Sequence, residues 1–116
     1  MKYLIPEDDY CVWAFDLANR YFPGNTLILN DTVGAAFADF RGKYSGYYLN
    51  IKDLLGRGVR IDEVGMQCHL GEEGLENVNC AERLYEVLDT YADLGKPINI
   101  SEISIPSEFG GQVDEE

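Results

Sequence analysis

The 116 residues carry 9 Lys and Arg against 21 Asp and Glu, a net charge of −12, with 46% hydrophobic and 26% charged residues. That balance suits one folded domain with a moderate core, and its negative surface repels phosphate backbones and anionic lipid, so neither nucleic acid nor a membrane surface is an expected partner. No apolar run approaches the roughly 20 residues that span a bilayer, and Pro6-Glu7-Asp8-Asp9 cuts Met1–Ile5 well short of a secretory signal peptide, which leaves the compartment open.

In chain order, Asp8 or Asp9 can cap a helix whose apolar stripe runs Cys11, Ala14, Phe15, Ala18 and Phe22, stopped by Pro23-Gly24. Thr26 to Asp31 reads as a buried strand that turns polar only at Asn30 and Asp31. A loop of small residues from Val33 to Gly42 leads to a second helix, with Tyr44, Tyr47, Tyr48, Ile51, Leu54 and Leu55 on one face and Gly56 and Gly58 closing it. The pattern repeats. Ile61 to Cys68 forms a strand that turns polar at Gln67 and His69, and the glycine- and glutamate-rich loop Gly71-Glu72-Glu73-Gly74 follows. Asn79 with Glu82 makes a capping box for a third helix burying Leu84, Val87, Leu88, Tyr91 and Leu94. A last strand, Lys96 to Pro106, is rich in isoleucine and bounded by prolines, and the tail from Ser107 is acidic. Cys11, Cys68 and Cys80 lack C-x-x-C spacing and fall where core residues belong, so buried thiols are expected and a metal site is not.

The order is therefore α-β-α-β-α-β, with strands starting near Thr26, Asp62 and Ile98, about 36 residues apart each time. Such spacing suits consecutive βα units of a parallel sheet. An open doubly wound sheet and a section of a (β/α)₈ barrel both satisfy it, but a whole barrel takes about 250 residues.

Parallel α/β folds gather their chemistry at the C-terminal ends of the strands. Those ends offer Asn30 and Asp31, then Gln67 and His69, then Glu102. Strict alternation predicts that Ile98, Ile100 and Glu102 share a face, as do Gly65, Gln67 and His69, and Thr26, Ile28 and Asn30. A carboxylate on a parallel strand needs a partner or a task, because burying its charge alone costs several kcal/mol. Glu102 suits attack on an anomeric carbon, His69 suits hydrogen bonding to it, and Gln67 and Asn30 suit reading sugar hydroxyls. Taken singly, His69 also reads as a satisfied strand-end histidine, and the two amides as loop caps.

Phe22-Pro23 followed by Leu27-Ile28-Leu29-Asn30-Asp31, then Ile61-Asp62-Glu63-Val64-Gly65-Met66-Gln67-Cys68-His69-Leu70, then Leu94-Gly95-Lys96-Pro97-Ile98 into Ile100-Ser101-Glu102, resemble glycoside hydrolase family 10, the endo-1,4-β-xylanases. The resemblance runs from about Trp13 to Glu102. It implies a section of a (β/α)₈ TIM barrel of about three βα units, strands matching the fifth to seventh, with residues 1–116 forming a partial catalytic barrel and no cofactor or metal. It implies that Glu102 is the nucleophile, that His69 contacts it, and that Gln67 and Asn30 line the site. Asp31 takes a structural role first. The implied partner is a xylan-like plant cell-wall polysaccharide, and the full-length family is secreted.

The family's Trp-Asp-Val-x-Asn-Glu motif, whose Glu is the acid/base, has no counterpart here: Trp13-Ala14-Phe15-Asp16 falls mid-helix. The eighth strand with its tryptophan-bearing loop is absent too, and Thr32 stands where an aromatic often follows Asn-Asp. Glu72 and Glu73 read as a solvated loop. The expectation is a fragment that carries the nucleophile without the acid/base, is inactive alone, and self-associates through open sheet edges. Three alternatives remain at this level. One is a small non-catalytic open α/β ligand- or protein-binding domain, with helices on both sheet faces and no Glu102–His69 contact. Another is a barrel hydrolase with an inverting scheme, and the third a carbohydrate-binding face built on Tyr44, Tyr47 and Tyr48.

Overall fold

The computed structural model describes residues 9–69 and 81–105. Asn79, Cys80, the loop Gly71-Glu72-Glu73-Gly74 and the tail from Ser107 lie outside the described residues. The elements are α1 (Tyr10–Tyr21), β1 (Ile28–Asp31), a π-helical turn (Gly34–Ala38), α2 (Gly46–Gly56), β2 (Glu63–His69), α3 (Ala81–Ala92) and β3 (Ile98–Ser104). The strands form one parallel sheet in the order β1-β2-β3.

One face of β2 carries Val64, Met66 and Cys68, all buried. Against it pack Phe37 from the π-helical turn and Phe40 just after it, Tyr47, Tyr48 and Ile51 from α2, and Val87 and Tyr91 from α3. Burying aliphatic and aromatic side chains of this size is worth about 1.5–3 kcal/mol each, which is what holds the helices to the sheet. Cys11, Val12 and Phe15 of α1 pack on Leu54, Val59 and Ile61, a second cluster that also touches Leu29 on the same side of the sheet. Every described helix thus lies on one face. Successive crossovers on one side give the winding of a barrel wall, whereas a doubly wound sheet needs helices on both sides.

Several expectations are corrected. Val33 to Gly42 is more than a loop: Val33, Ala36, Phe37 and Phe40 are buried, because small residues let the π-helical turn drop its aromatics onto the sheet. β1 starts at Ile28 rather than Thr26 and is half-exposed along its length, since among the described residues nothing packs on one of its faces. Phe22 lies outside α1 and is 60% exposed, and α1 has no fully buried residue. Asp9 makes no side-chain cap; it pairs instead with Arg57 at 2.7 Å. Tyr44 precedes α2 and is exposed, so only Tyr47 and Tyr48 belong to the buried face, and a sugar-binding row of three tyrosines does not exist. Cys68 is buried but Cys11 only half-buried.

The most consequential correction concerns β3. Its register runs Val64↔Ile98 and Met66↔Ile100, then jumps to Gln67↔Glu102 and His69↔Ser104. One extra residue, Ser101, is accommodated there as a bulge. Ile98 and Ile100 therefore pair with the helix-facing Val64 and Met66, not with the face of Glu102. Without the bulge, the alternation that puts Ile100 toward the helices would still put Glu102 there.

Candidate active site at the strand ends

The open face of the sheet is set by β2, where Glu63, Gly65, Gln67 and His69 alternate with the buried Val64, Met66 and Cys68. The bulge brings both Ser101 and Glu102 round to that face. The contacts show it: Ser101 Oγ donates to Asn30 Oδ1 at 2.8 Å, and Gln67 Nε2 donates to Glu102 Oε1 at 3.3 Å. His69 Nε2 lies 2.9 Å from Glu102 Oε2, and its Nδ1 lies 3.0 Å from Ser104 Oγ.

All four residues singled out in the sequence stand at this edge. His69, Gln67 and Glu102 form one hydrogen-bonded cluster, and Asn30 joins through Ser101 rather than touching Glu102. Asp31 pairs with the helix-facing Met66, and its Oδ1 accepts the Thr32 amide at 2.7 Å, a loop-capping role.

Three further residues shape the site. Gly65 sits opposite Asn30, and a β-carbon there would stand 2.7 Å from Asn30 Oδ1 and 2.9 Å from Ile28 Cγ2. Glycine is required so that Asn30 can lean across β2 toward Ser101. Ser104 lies two residues beyond Glu102, so alternation alone places it beside the carboxylate. Ser101 was illegible, because a period of two assigns it to the opposite face from Glu102. Behind the sheet, the Tyr47 hydroxyl lies 3.0 Å from the Leu29 carbonyl and 2.7 Å from that of Gly65, tying β1 to β2 one step before the site. Burial, and then the charge of Asp31, push the Tyr47 phenol well up from its ordinary value, so it remains a neutral donor.

The Glu102 side chain is 52% exposed and that of His69 26%. Among the described residues no lysine or arginine pairs with Glu102, so its partners are an imidazole and an amide. A carboxylate held by such donors keeps lone pairs directed into the open space above the sheet and can act as a nucleophile or a base. Among the described residues no three His, Cys, Asp or Glu side chains gather as metal ligands. A cleft of about 410 Å³ lined by Ala35, Asp39, Arg41, Tyr44, Gly46 and Tyr47 contains none of the four residues.

An open parallel sheet of three strands with its helices on one side, and a carboxylate–imidazole pair at the strands' C-terminal ends, is a small α/β piece of the kind that an α/β barrel contains. The chain belongs to glycosyl hydrolase family 10, whose family model matches residues 3–113. It is 33% identical over 98 residues to endo-1,4-beta-xylanase A of Caldicellulosiruptor saccharolyticus, covering 84% of this chain and 27% of that protein. It is 30% identical over 105 residues to endo-1,4-beta-xylanase B of Thermotoga neapolitana, covering 90% and 28%. With endo-1,4-beta-xylanase B of Neocallimastix patriciarum it shares 28% over 93 residues, 79% of this chain and 10% of that protein. The chain thus spans little more than a quarter of the length of the first two relatives and 10% of the third.

Proposed function

We propose that residues 1–116 form a section of the catalytic barrel of a retaining endo-1,4-β-xylanase, its strands equivalent to the fifth to seventh, acting on a xylan-like polysaccharide. Glu102 is the nucleophile, His69 orients it, and Gln67 and Asn30 contact sugar hydroxyls. The observation that carries this reading is the 2.9 Å contact of His69 Nε2 with Glu102 Oε2 on the open face, where a substrate can reach. In a retaining glycosidase the carboxylate oxygen forms an ester to the anomeric carbon as the glycosidic C–O bond breaks, and a second carboxyl about 5–5.5 Å away protonates the leaving oxygen. Asp31 faces the helices, and no other carboxylate among the described residues is hydrogen-bonded into the cluster. On this reading the chain cleaves no natural xylan alone, because the leaving alkoxide goes unprotonated.

A leaving group that needs no proton separates the two roles. A dinitrophenyl 2-deoxy-2-fluoro-xylobioside should release up to one equivalent of phenolate and leave a glycosyl adduct on Glu102 by peptide mass spectrometry. Glu102→Gln should give neither. An adduct on another residue, or phenolate release unchanged in Glu102→Gln, would remove Glu102 from the role. Glu102-dependent hydrolysis of xylan itself would overturn the expected inactivity.

A further inference from the structure

His69 is held at both ring nitrogens by side chains of β3, and the two partners differ in kind. Nε2 faces the Glu102 carboxylate at 2.9 Å, and Nδ1 faces the Ser104 hydroxyl at 3.0 Å. An ionised carboxylate only accepts, so Nε2 must carry a proton. A hydroxyl can donate or accept, and this freedom decides the charge of the ring. If Ser104 donates to a bare Nδ1, the imidazole is neutral; if it accepts from an Nδ1–H, the ring is an imidazolium. Among the described residues the partner of Nδ1 is the uncharged Ser104 hydroxyl, and none there rewards the second proton with an opposite charge.

Among the described residues, the other polar groups on this face do not change this. On β2, Gln67 is neutral and donates to Glu102, and Glu63 lies six residues before His69 at the other end of the strand, where it accepts from Asn99. From β1 comes Asn30, also neutral, while Asp31 lies on the helix side with α2 and α3. Among the described residues Glu102 is the one carboxylate in contact with the ring, and it accepts a hydrogen bond from Nε2–H in either state.

Resting on the assignment of Glu102 as nucleophile, we infer that Ser104 is a positioning residue: its hydroxyl donates to Nδ1 and holds His69 as the neutral, Nε2-protonated tautomer. The consequence lies in the charge of the site. A neutral N–H donor orients Glu102 but leaves the Glu102–His69 pair with a full negative charge, directed at a substrate carbon that becomes positive as its bond breaks. An imidazolium in the same place would neutralise the pair and weaken that attraction. The hydroxyl thus gives orientation without a counter-charge.

This chain has one histidine, so ¹⁵N-histidine labelling of the full chain yields the spectrum of a single imidazole. At slightly alkaline pH the expected spectrum has a pyridine-type Nδ1 and a pyrrole-type Nε2. Ser104→Asp places a carboxylate at Nδ1, and the same spectrum should change to two pyrrole-type nitrogens as the ring takes up a second proton. Ser104→Ala removes the donor, and the ratio of the Nε2–H to the Nδ1–H tautomer should fall about fivefold, the effect of one hydrogen bond, with Ser104→Thr restoring it. An imidazolium or an Nδ1–H tautomer in the parent chain overturns the inference with no variant needed. So does a tautomer ratio that is the same in Ser104→Ala as in the parent. None of these spectra needs a sugar, so they stand or fall apart from the adduct on Glu102: a neutral Nε2–H ring without adduct removes the nucleophile, and an adduct beside an imidazolium removes the role of Ser104.

Discussion

Gly65 shows at the scale of one residue how the site depends on what is missing. Asn30 reaches Ser101 only because position 65 carries no β-carbon, and Gly65→Ala would bring a methyl to 2.7 Å from Asn30 Oδ1. Both Asn30 and Ile28 would have to shift, and such overpacking typically costs about 1–3 kcal/mol. Urea denaturation should register that loss, and the Asn30 side-chain amide resonances should move. A variant as stable as the parent with unmoved amide signals would show that β1 has slack. Much of the cluster was legible residue by residue: Gln67 and His69 share a parity, and a Glu at the end of an isoleucine-rich strand calls for a partner. Ser101 and Gly65 were not, because what matters about them is the neighbour on another strand.

At the scale of the elements, two devices hold the strands in register. Below β1, the Arg60 guanidinium donates to Asn19 Oδ1, the Pro23 and Asn25 carbonyls and Asp62, while Asp62 Oδ2 accepts the Leu27 amide at 2.8 Å. The Leu27 N–H, and then Arg60, hold the Asp62 carboxyl below the usual carboxylate range. A carboxyl lowered in the folded state stabilises the fold above its unfolded value, about pH 4, and loses that contribution as pH falls through the folded value. Asp62→Asn should therefore melt earlier than the parent at neutral pH, and the gap should close in acid. An equal gap at every pH would show that the charge is not what holds the loop. The second device is Tyr47, whose hydroxyl serves two strand carbonyls. Tyr47→Phe should cost about 1–2 kcal/mol by urea denaturation, the loss of a buried hydrogen bond, with the secondary structure retained. A cost near zero would mean that the ladder alone satisfies those carbonyls.

Across the whole molecule, the sheet has open edges at β1 and β3 among the described residues, and Ile100, Ile103 and Ile105 are 42%, 63% and 68% exposed. Unpaired strand edges flanked by isoleucine invite pairing with another copy. Sedimentation velocity should show concentration-dependent association, reduced by Ile103→Lys, whereas a monodisperse monomer with a sharp thermal transition would count against it. The alternation of helices and strands, the polar strand ends and the family are determined by the amino-acid sequence alone, because periodicity, prolines and glycines act over a few neighbouring residues. Three things were decided only by the tertiary structure: the one-sided helix layer, the core role of the segment after β1, and the bulge that turns Glu102 toward His69. Each depends on which residues of separate strands and helices meet, and such pairings join positions some tens of residues apart, beyond the reach of any local pattern.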